Sequence, residues 1–536
     1  MSSLPFKSPA EVDQFLDKNE GLDPEQLVPL PHPYEDWKDT PIPPLTDDQK
    51  SRFHAGPDGV SALRIPVPES DEERDKKVAG FLEGLRKLLS KENNWTFLQP
   101  LLLSLDSCVK CQTCNDSCPV YTATGEEEIY RPTFRAEVLR KIVDRYIKPG
   151  GNVFPKLRGN DVELNWETIV NLAELSYRCT LCRRCAQACP VGVDNGLLTR
   201  EIRKLMSQEL DIQMEELHEK GTVKQMLTGS STGLNPAGLA DILEFAEEDI
   251  EEKAGLKMKL PVDVEGAEYL VLHNAGEFLS WPENLQAFAI ILEAAGIKWT
   301  LSTTQMGYDS VNYGLFYDDV QLARIAISHY DIAKKLGVEK VLMGECGHAH
   351  KATMPVANRV VPQSTMVPTE SAFVLLEDLI CNGKIKVDPS RNDFPVTLHD
   401  PCNVTRSMGI SEPQRKVIKK ICPQFREMEP HGVNNYCCGG GSGFAVCSAV
   451  NFQDWRTRVS GRIKFAQILE SFADAPGPET NKYVCAPCSN CKGQIRDILG
   501  YYEAWDRCRI LYGGLVELIV NCMEDVKPGF LEWEFH

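Results

Sequence analysis

Thirteen of the twenty cysteines fall into three groups whose spacing suits metal chemistry. Two groups share one pattern, Cys108-x2-Cys111-x2-Cys114-x3-Cys118-Pro119 and Cys179-x2-Cys182-x2-Cys185-x3-Cys189-Pro190. In that pattern three close thiolates hold one cubane [4Fe-4S] cluster and the fourth crosses to the other cluster. Cys108, Cys111, Cys114 and Cys189 are therefore expected to hold one cubane, and Cys179, Cys182, Cys185 and Cys118 the second. Structural zinc sites use cysteine pairs and do not need the x2-x2-x3-Pro series. The third group is spread over DPCNVTR, NNYCCGGGSG and YVCAPCSNC, with thiols at Cys402, Cys437, Cys438, Cys485 and Cys488. Segments this long place them on different loops, and a shared site is the economical reading.

Adjacent residues on extended backbone point to opposite sides, so Cys437 and Cys438 can face one centre only where the chain bends sharply. Gly439, Gly440 and Gly441 supply such a bend and let the backbone approach a cluster closely. Soft thiolates select iron–sulfur, zinc or cuprous sites, and five converging thiols exceed what four-coordinate zinc takes. The pattern Cys402…Cys437-Cys438-Gly439…Cys485-x-x-Cys488 resembles the cysteine-rich CCG domain of heterodisulfide reductase catalytic subunits. That resemblance implies a noncubane [4Fe-4S] cluster on these five thiols, one that cleaves a sulfur–sulfur bond. Gly439, Gly440, Cys346 and Cys491 are expected to line the cofactor, and Cys447 and Cys491 are candidate neighbouring or reactive thiols. His399 and His431 lie near the ligands but read as structural, as lone histidines usually are.

These thiols need elements to position them. Residues 1–68, rich in proline and acidic residues, cannot bury a core and read as an extended partner-binding arm or a flexible tail. Leu27, Tyr34, Trp37 and Ile42 would anchor such an arm on a partner's surface. Residues 69–260 read as a helical domain: Ser70-x-x-Glu73 is a capping box before Val78, Leu82, Leu85 and Leu89, and Ala136–Tyr146 and Trp166–Leu175 show helical periodicity. With its long insertion between cysteine runs, this part resembles the helical ferredoxin domain of fumarate and succinate oxidoreductases, which implies single-electron transfer. The run Glu247 to Glu252 reads as a solvated face.

From about Glu268 strands alternate with helices, the pattern of α/β units with a parallel sheet. YLVLHN, KWTLST and KVLMGE read as strands, Leu285–Ala295 and Val320–Leu336 as helices. VTLHDPC then matches VLHNAGE, and KYVCAPCSNCK matches KVLMGECGHAH. With His273 against His399, Gly276 stands where Cys402 does, Gln305 and Met306 stand at Cys437 and Cys438, and Met343 replaces Cys485. Only Cys346 survives, opposite Cys488, either as a thiol projecting between the halves or as a leftover core residue. Residues 261–385 thus read as a degenerate CCG half without a cluster and 386–536 as an intact half with one, in a multidomain α+β chain. Cys381, Cys422, Cys508 and Cys522 sit in apolar contexts and read as packing.

A net charge of −19 argues against nucleic acid or an anionic bilayer as partner, although Arg406, Lys419, Lys420 and Lys492 could form a local basic patch. Phe97–Leu105 and Ile510–Cys522 are too short and too broken to span a membrane. The N-terminus lacks a secretory signal, so the cysteines point to metal ligation in a reducing cytosol. The layout of arm, dicluster domain, degenerate half and intact half is similar to that of the DsrK-type subunits of DsrMKJOP membrane complexes. That likeness implies a cytoplasmic protein held at the membrane by the other subunits of a hetero-oligomeric complex. It further implies electrons from a quinol-linked cytochrome b-type partner, passed through two cubanes to a noncubane cluster that reduces a disulfide or trisulfide of the sulfur carrier DsrC in dissimilatory sulfur metabolism. Two other readings stay open: an electron-wiring subunit with no substrate of its own, like the iron–sulfur subunits of glycolate or glycerol-phosphate dehydrogenases, and a small-molecule heterodisulfide reductase. The chain has no G-x-G-x-x-G dinucleotide fingerprint.

Overall fold

A computed structural model describes residues 21–35, 41–90, 101–357, 359 and 361–535. Helix α1 (Asp71–Leu89) begins where Ser70 Oγ accepts the Glu73 amide at 3.2 Å. The expected box closes one residue early, because the Glu73 carboxylate accepts the amide of Glu69 and not that of Ser70. Helices α2 (Pro132–Ile142), α3 (Trp166–Ser176) and α4 (Asn195–Leu210) complete a bundle whose core includes Phe81, Leu85, Phe134, Leu139, Ile169 and Ile202. At Gly84 a Cβ would meet Glu209 Cγ at 2.2 Å, so the absent side chain lets α1 lie directly on α4. The first ferredoxin-type cysteine run and the start of the second are irregular chain, and Cys185 lies in a short helix, Arg184–Ala188.

Two four-stranded parallel sheets follow. The first holds β1 (Tyr269–Leu272), β2 (Trp299–Thr300), β3 (Lys340–Met343) and β4 (Thr369–Ser371) in the order β2-β1-β3-β4. The second holds β5 (Val396–Leu398), β6 (Phe425–Arg426), β7 (Lys482–Cys485) and β8 (Ile510–Gly513) in the order β6-β5-β7-β8. Leu272 pairs with Met343 in one, and Leu398 with Cys485 in the other. The crossovers in the first unit are α5 (Pro282–Ala294) and α6 (Asp319–Leu336), the latter followed after β3 by the short α7 (Gly347–Lys351) and after β4 by α8 (Ala372–Cys381). The second unit has α9 (Cys402–Met408), α10 (Glu412–Ile421), α11 (Ser489–Tyr501) and α12 (Leu515–Cys522). Contacts between the units are reciprocal: α5 packs on α12, and α8 packs on α10. They share one core, with Leu285, Ile291 and Phe373 from the first unit and Val417, Ile418, Leu518 and Ile519 from the second.

The proline-rich segment departs from expectation. Leu27, Tyr34 and Ile42 are buried against this chain and not left for a partner, while Trp37 lies outside the described residues. A proline-rich stretch makes few hydrogen bonds of its own, and here its carbonyls are taken by side chains from far along the sequence. Arg462 Nε donates to Val28 O at 2.6 Å, Arg507 Nη2 to Pro33 O at 2.9 Å and Asn451 Nδ2 to Pro43 O at 3.0 Å. Tyr34 meets Phe465 edge-on at 5.2 Å, with the Arg507 guanidinium 4.2 Å above its ring. Further on, Asp58 accepts from Arg178 Nε at 2.6 Å and Nη2 at 2.8 Å, and Glu174 accepts the amides of Ala62 and Leu63. The segment is a strap across the dicluster bundle and the second α/β unit.

Candidate iron–sulfur site

Both ferredoxin-type loops curl in the same way. Lys110 and Gln112 in the first, and Leu181 and Arg183 in the second, have φ between 54° and 63°, so left-handed residues stand at matching places between the cysteines. Non-glycine residues pay for that conformation with about 1 kcal/mol or more each. The loops then exchange their last cysteines. Burial pushes the Cys114 thiol up to about 12, with Cys108, Cys189 and Cys118 near enough to add to the effect. Burial likewise pushes Cys118 up to about 11, its thiol neighbours being Cys182 and Cys179. Cys185, raised mainly by burial, also has Cys182, Cys179 and Cys118 beside it. Leu181 N donates to Cys179 Sγ at 3.4 Å and Val193 N to Cys189 Sγ at 3.3 Å. Cys111 is exposed, so the group containing it reaches the surface.

The second α/β unit gathers its thiols at the ends of its strands. Cys402 opens α9, Cys488 caps α11 and Cys491 lies in the first turn of α11. Cys437 and Cys438 precede Gly439, whose φ of +94° and whose hypothetical Cβ, 2.4 Å from Gly461 N, both require glycine. Gly439 N donates to Cys437 Sγ at 3.3 Å. At Gly440 a Cβ would stand 2.5 Å from that of Gln494.

The sulfurs form a continuous chain. Cys438 and Cys491 are 3.4 Å apart. Contacts with Cys437 and then Cys491 hold the Cys438 thiol well below its ordinary value, while contacts with Cys346 and then Cys491 do the same for Cys488. Cys437 is pushed well up: its contact with Cys182 favours the thiolate, but those with Cys402 and Cys438, together with burial, prevail. Cys182 of the dicluster domain packs against the core cluster that contains Cys437 and Cys438. The joint is tied by Arg406, which donates from Nε to Cys182 O at 2.7 Å and from Nη1 to Asn435 O at 2.8 Å. Gly441 permits it, since a Cβ there would lie 2.5 Å from Thr180 O.

Cys485, expected among the cluster thiols, lies apart from them. It is the last residue of β7, and strand alternation sends its side chain with Tyr483 into the core shared by the two units, while Val484 faces the thiol side. Burial raises its thiol well above the usual value, and its charged neighbours are Glu345, Cys422, Glu517 and Lys492, with none of the gathered thiols among them. Cys491, expected as a lining or neighbouring thiol, lies 3.4 Å from Cys438. Cys346 does project between the units, capping α7 with its sulfur against Cys488, and Gly347 N donates to Cys488 Sγ at 3.3 Å. Cys447 lies apart, buried in the dicluster-side core. His431 is exposed, whereas His399 is buried beside Cys438 and is held below its usual value first by that burial.

Arg406 and Lys492 are also buried and form no surface patch. Lys464, unremarked in the sequence, is buried with its amine lowered to about 7 by desolvation and donates to Asn435 Oδ1 at 2.6 Å. Lys464 lies beside Cys437 and Cys438, and the Arg406 guanidinium brings positive charge beside Cys182, Cys402 and Cys437. No described cysteine is in a disulfide. A gathering of unpaired thiols with imidazoles and buried cations, and no carboxylate among the nearest donors, fits a soft anionic iron–sulfur centre and not a hard-metal site.

Comparison with known proteins agrees. A family model for a 4Fe-4S dicluster domain matches residues 104–193, and one for the cysteine-rich CCG domain matches residues 396–496. The chain is 26% identical to the Hdr-like menaquinol oxidoreductase iron-sulfur subunit 2 of Archaeoglobus fulgidus, over 93% of this chain and 94% of that one. It is 26% identical to one subunit of the dihydromethanophenazine:CoB–CoM heterodisulfide reductase of Methanosarcina acetivorans, over 64% of this chain and 79% of that one. It is 24% identical to an EtfAB:quinone oxidoreductase of Syntrophomonas wolfei, over 79% of this chain and 59% of that one. Among the described residues no helix is long and apolar enough to cross a membrane. A dicluster domain and a CCG domain, in a chain aligned almost end to end with such a subunit, make this chain similar to the iron–sulfur subunits of heterodisulfide-reductase-like oxidoreductases.

Proposed function

We propose that this chain is the sulfur-reducing subunit of a quinol-linked membrane complex of the DsrK type. Electrons arrive from a cytochrome b-type subunit, and the reduced bond is a disulfide or trisulfide on the carrier protein DsrC. The observation that carries the reading is the packing of Cys182 against the core that holds Cys437 and Cys438, with Arg406 bridging Cys182 O and Asn435 O, which brings the dicluster domain up to the CCG thiols. The names of the relatives, a menaquinol oxidoreductase and a heterodisulfide reductase, supply the two ends of the route.

Cys108, Cys111, Cys114 and Cys189 would hold one cubane; Cys179, Cys182, Cys185 and Cys118 would hold the other. Cys402, Cys437, Cys438, Cys488 and Cys491 would hold a noncubane centre, with Cys491 replacing Cys485 in the expected set. Bound there, such clusters supply single electrons and a sulfur-binding iron. Arg406 and Lys464 offset the negative charge that accumulates on reduction, and Arg406 fixes the spacing between the two domains. Residues 261–385 act as a degenerate CCG copy, a reading supported by the common strand order and the reciprocal helix contacts.

One observation favours the wiring alternative. Cys437, Cys438, Cys488 and Cys491 are 0–3% exposed, and Cys402, at 8%, is the most open of the five. Substrate must therefore approach beside Cys402. Low-temperature EPR of the anaerobic protein, with and without an oxidised DsrC C-terminal peptide, tests the choice. A peptide-dependent change in the signal, absent in Cys438→Ser, is the expected result. Unchanged spectra with binding confirmed would replace reduction at this site with electron wiring.

A further inference from the structure

Each thiol of the C-x-x-C pair Cys488 and Cys491 has an imidazole beside it, and the two imidazoles come from different α/β units. On one side a ring nitrogen of His399 and the sulfurs of Cys438 and Cys491 lie within 4.8 Å of one another. On the other, a ring nitrogen of His348 and the sulfurs of Cys346 and Cys488 do the same, and all six residues are buried. His399 is 1% exposed, and neither of its ring nitrogens makes a well-formed hydrogen bond to any described residue. A neutral imidazole carries one donor and one acceptor, and burying both unmatched is unfavourable. The groups that its ring does face are the sulfurs of Cys438 and Cys491.

The first unit offers the contrast. His273 stands where His399 does relative to the strand, but its Nδ1 lies 3.0 Å from the buried Glu277 carboxylate. The residue corresponding to Glu277 in the second unit is Asn403, so the carboxylate is missing where the thiols are present. His348 is fixed differently, by the Asn490 amide at its Nδ1 and by the edge of Phe316, with ring centres 4.8 Å apart. Asn490 itself lies between Cys488 and Cys491.

We propose that the CCG centre carries an imidazole at both ends, His399 from its own unit and His348 from the first. Each has a ring nitrogen in direct contact with the cluster, through iron or through a cluster sulfur. The first unit then contributes Cys346 and His348 to the site as well as a packing surface. Imidazole in place of thiolate, or hydrogen bonding to cluster sulfur, raises a cluster's reduction potential, which would draw electrons from the dicluster loops toward this centre.

The proposal rests on the CCG unit holding an iron–sulfur cluster, and the experiment separates the two claims. Full-length protein is prepared with natural and with 15N-labelled histidine, its iron and sulfide are assayed, and the CCG signal is recorded by pulsed EPR. Label-sensitive nitrogen couplings are expected from two histidines, with His399→Leu and His348→Leu each removing one and each lowering the potential of the centre. A full iron load with no label-sensitive coupling overturns the proposal while leaving the cluster in place. A coupling lost in only one variant overturns the two-ended arrangement. Iron missing from the CCG unit alone overturns the underlying reading, and this proposal with it. Should the variants fail to fold, the labelled unsubstituted protein decides the question.

Discussion

Cys485 and Cys491 both belong to YVCAPCSNC, and their side chains go to opposite places. Cys491→Ser is expected to abolish the CCG centre, lowering bound iron by about four per chain and removing its EPR signal. Cys485→Ala should keep the full iron load and cost about 1 kcal/mol of stability, as a small truncation in a packed core does. Equal iron loss in both would refute the thiol set drawn from the structure. The sequence contains two overlapping C-x-x-C pairs at one spacing, and nothing in that spacing says which pair turns inward. The end of β7 decides it, because alternation along the strand sets the direction of Cys485 while the first turn of α11 sets those of Cys488 and Cys491. The boundary between strand and helix is the feature that local pattern defines least well. His399 reads as structural from sequence for a related reason: the sulfurs that its ring faces are a property of the packed site and leave no mark on the sequence.

Elements were far more legible. YLVL, KVLM and KYVC are apolar runs bounded by turns, and each forms a central strand of a parallel sheet, where burial on both faces removes the polar alternation. The glycine loop was legible in kind, since a vicinal pair facing one centre needs a bend, and the structure adds a second constraint at Gly439. Gly383 has φ +71° with nothing near its hypothetical Cβ, whereas Gly439 combines φ +94° with Gly461 N at 2.4 Å. Gly383→Ala should therefore cost only the left-handed penalty, about 1 kcal/mol. Gly439→Ala should cost several times more and displace Cys438 from Cys491. Thermal unfolding of the two variants, with iron content measured alongside, checks the ordering; similar losses in both would mean that the close approach at Gly439 is relieved by movement of the loop.

At the scale of the whole molecule, the strap is where composition misled. Proline-rich, acidic segments cannot build a core, and from sequence alone that looks like a tail or a partner's ligand; the core it joins is assembled from helices and loops distant in the chain. Two consequences distinguish strap from arm. Removing residues 1–68 should leave no soluble folded chain, because Val60, Leu63 and Ile65 are buried in the dicluster core, whereas a partner-binding arm could be cut away with the rest intact. The sharper test is Asp58→Ala. Arg178 is fully buried and shared between Asp58 and Glu174, and Glu174 already accepts the amides of Ala62 and Leu63. Without Asp58 the guanidinium keeps a partner with little capacity to spare, and breaking a buried ion pair from one side costs about 3–5 kcal/mol. Arg178 directly precedes Cys179, the first thiol of the second ferredoxin-type loop. Loss of iron from the dicluster domain should therefore accompany the fall in unfolding temperature, with the CCG signal affected later. An Asp58→Ala protein with unchanged stability and full iron content, but weakened assembly with its membrane partners, would restore the arm.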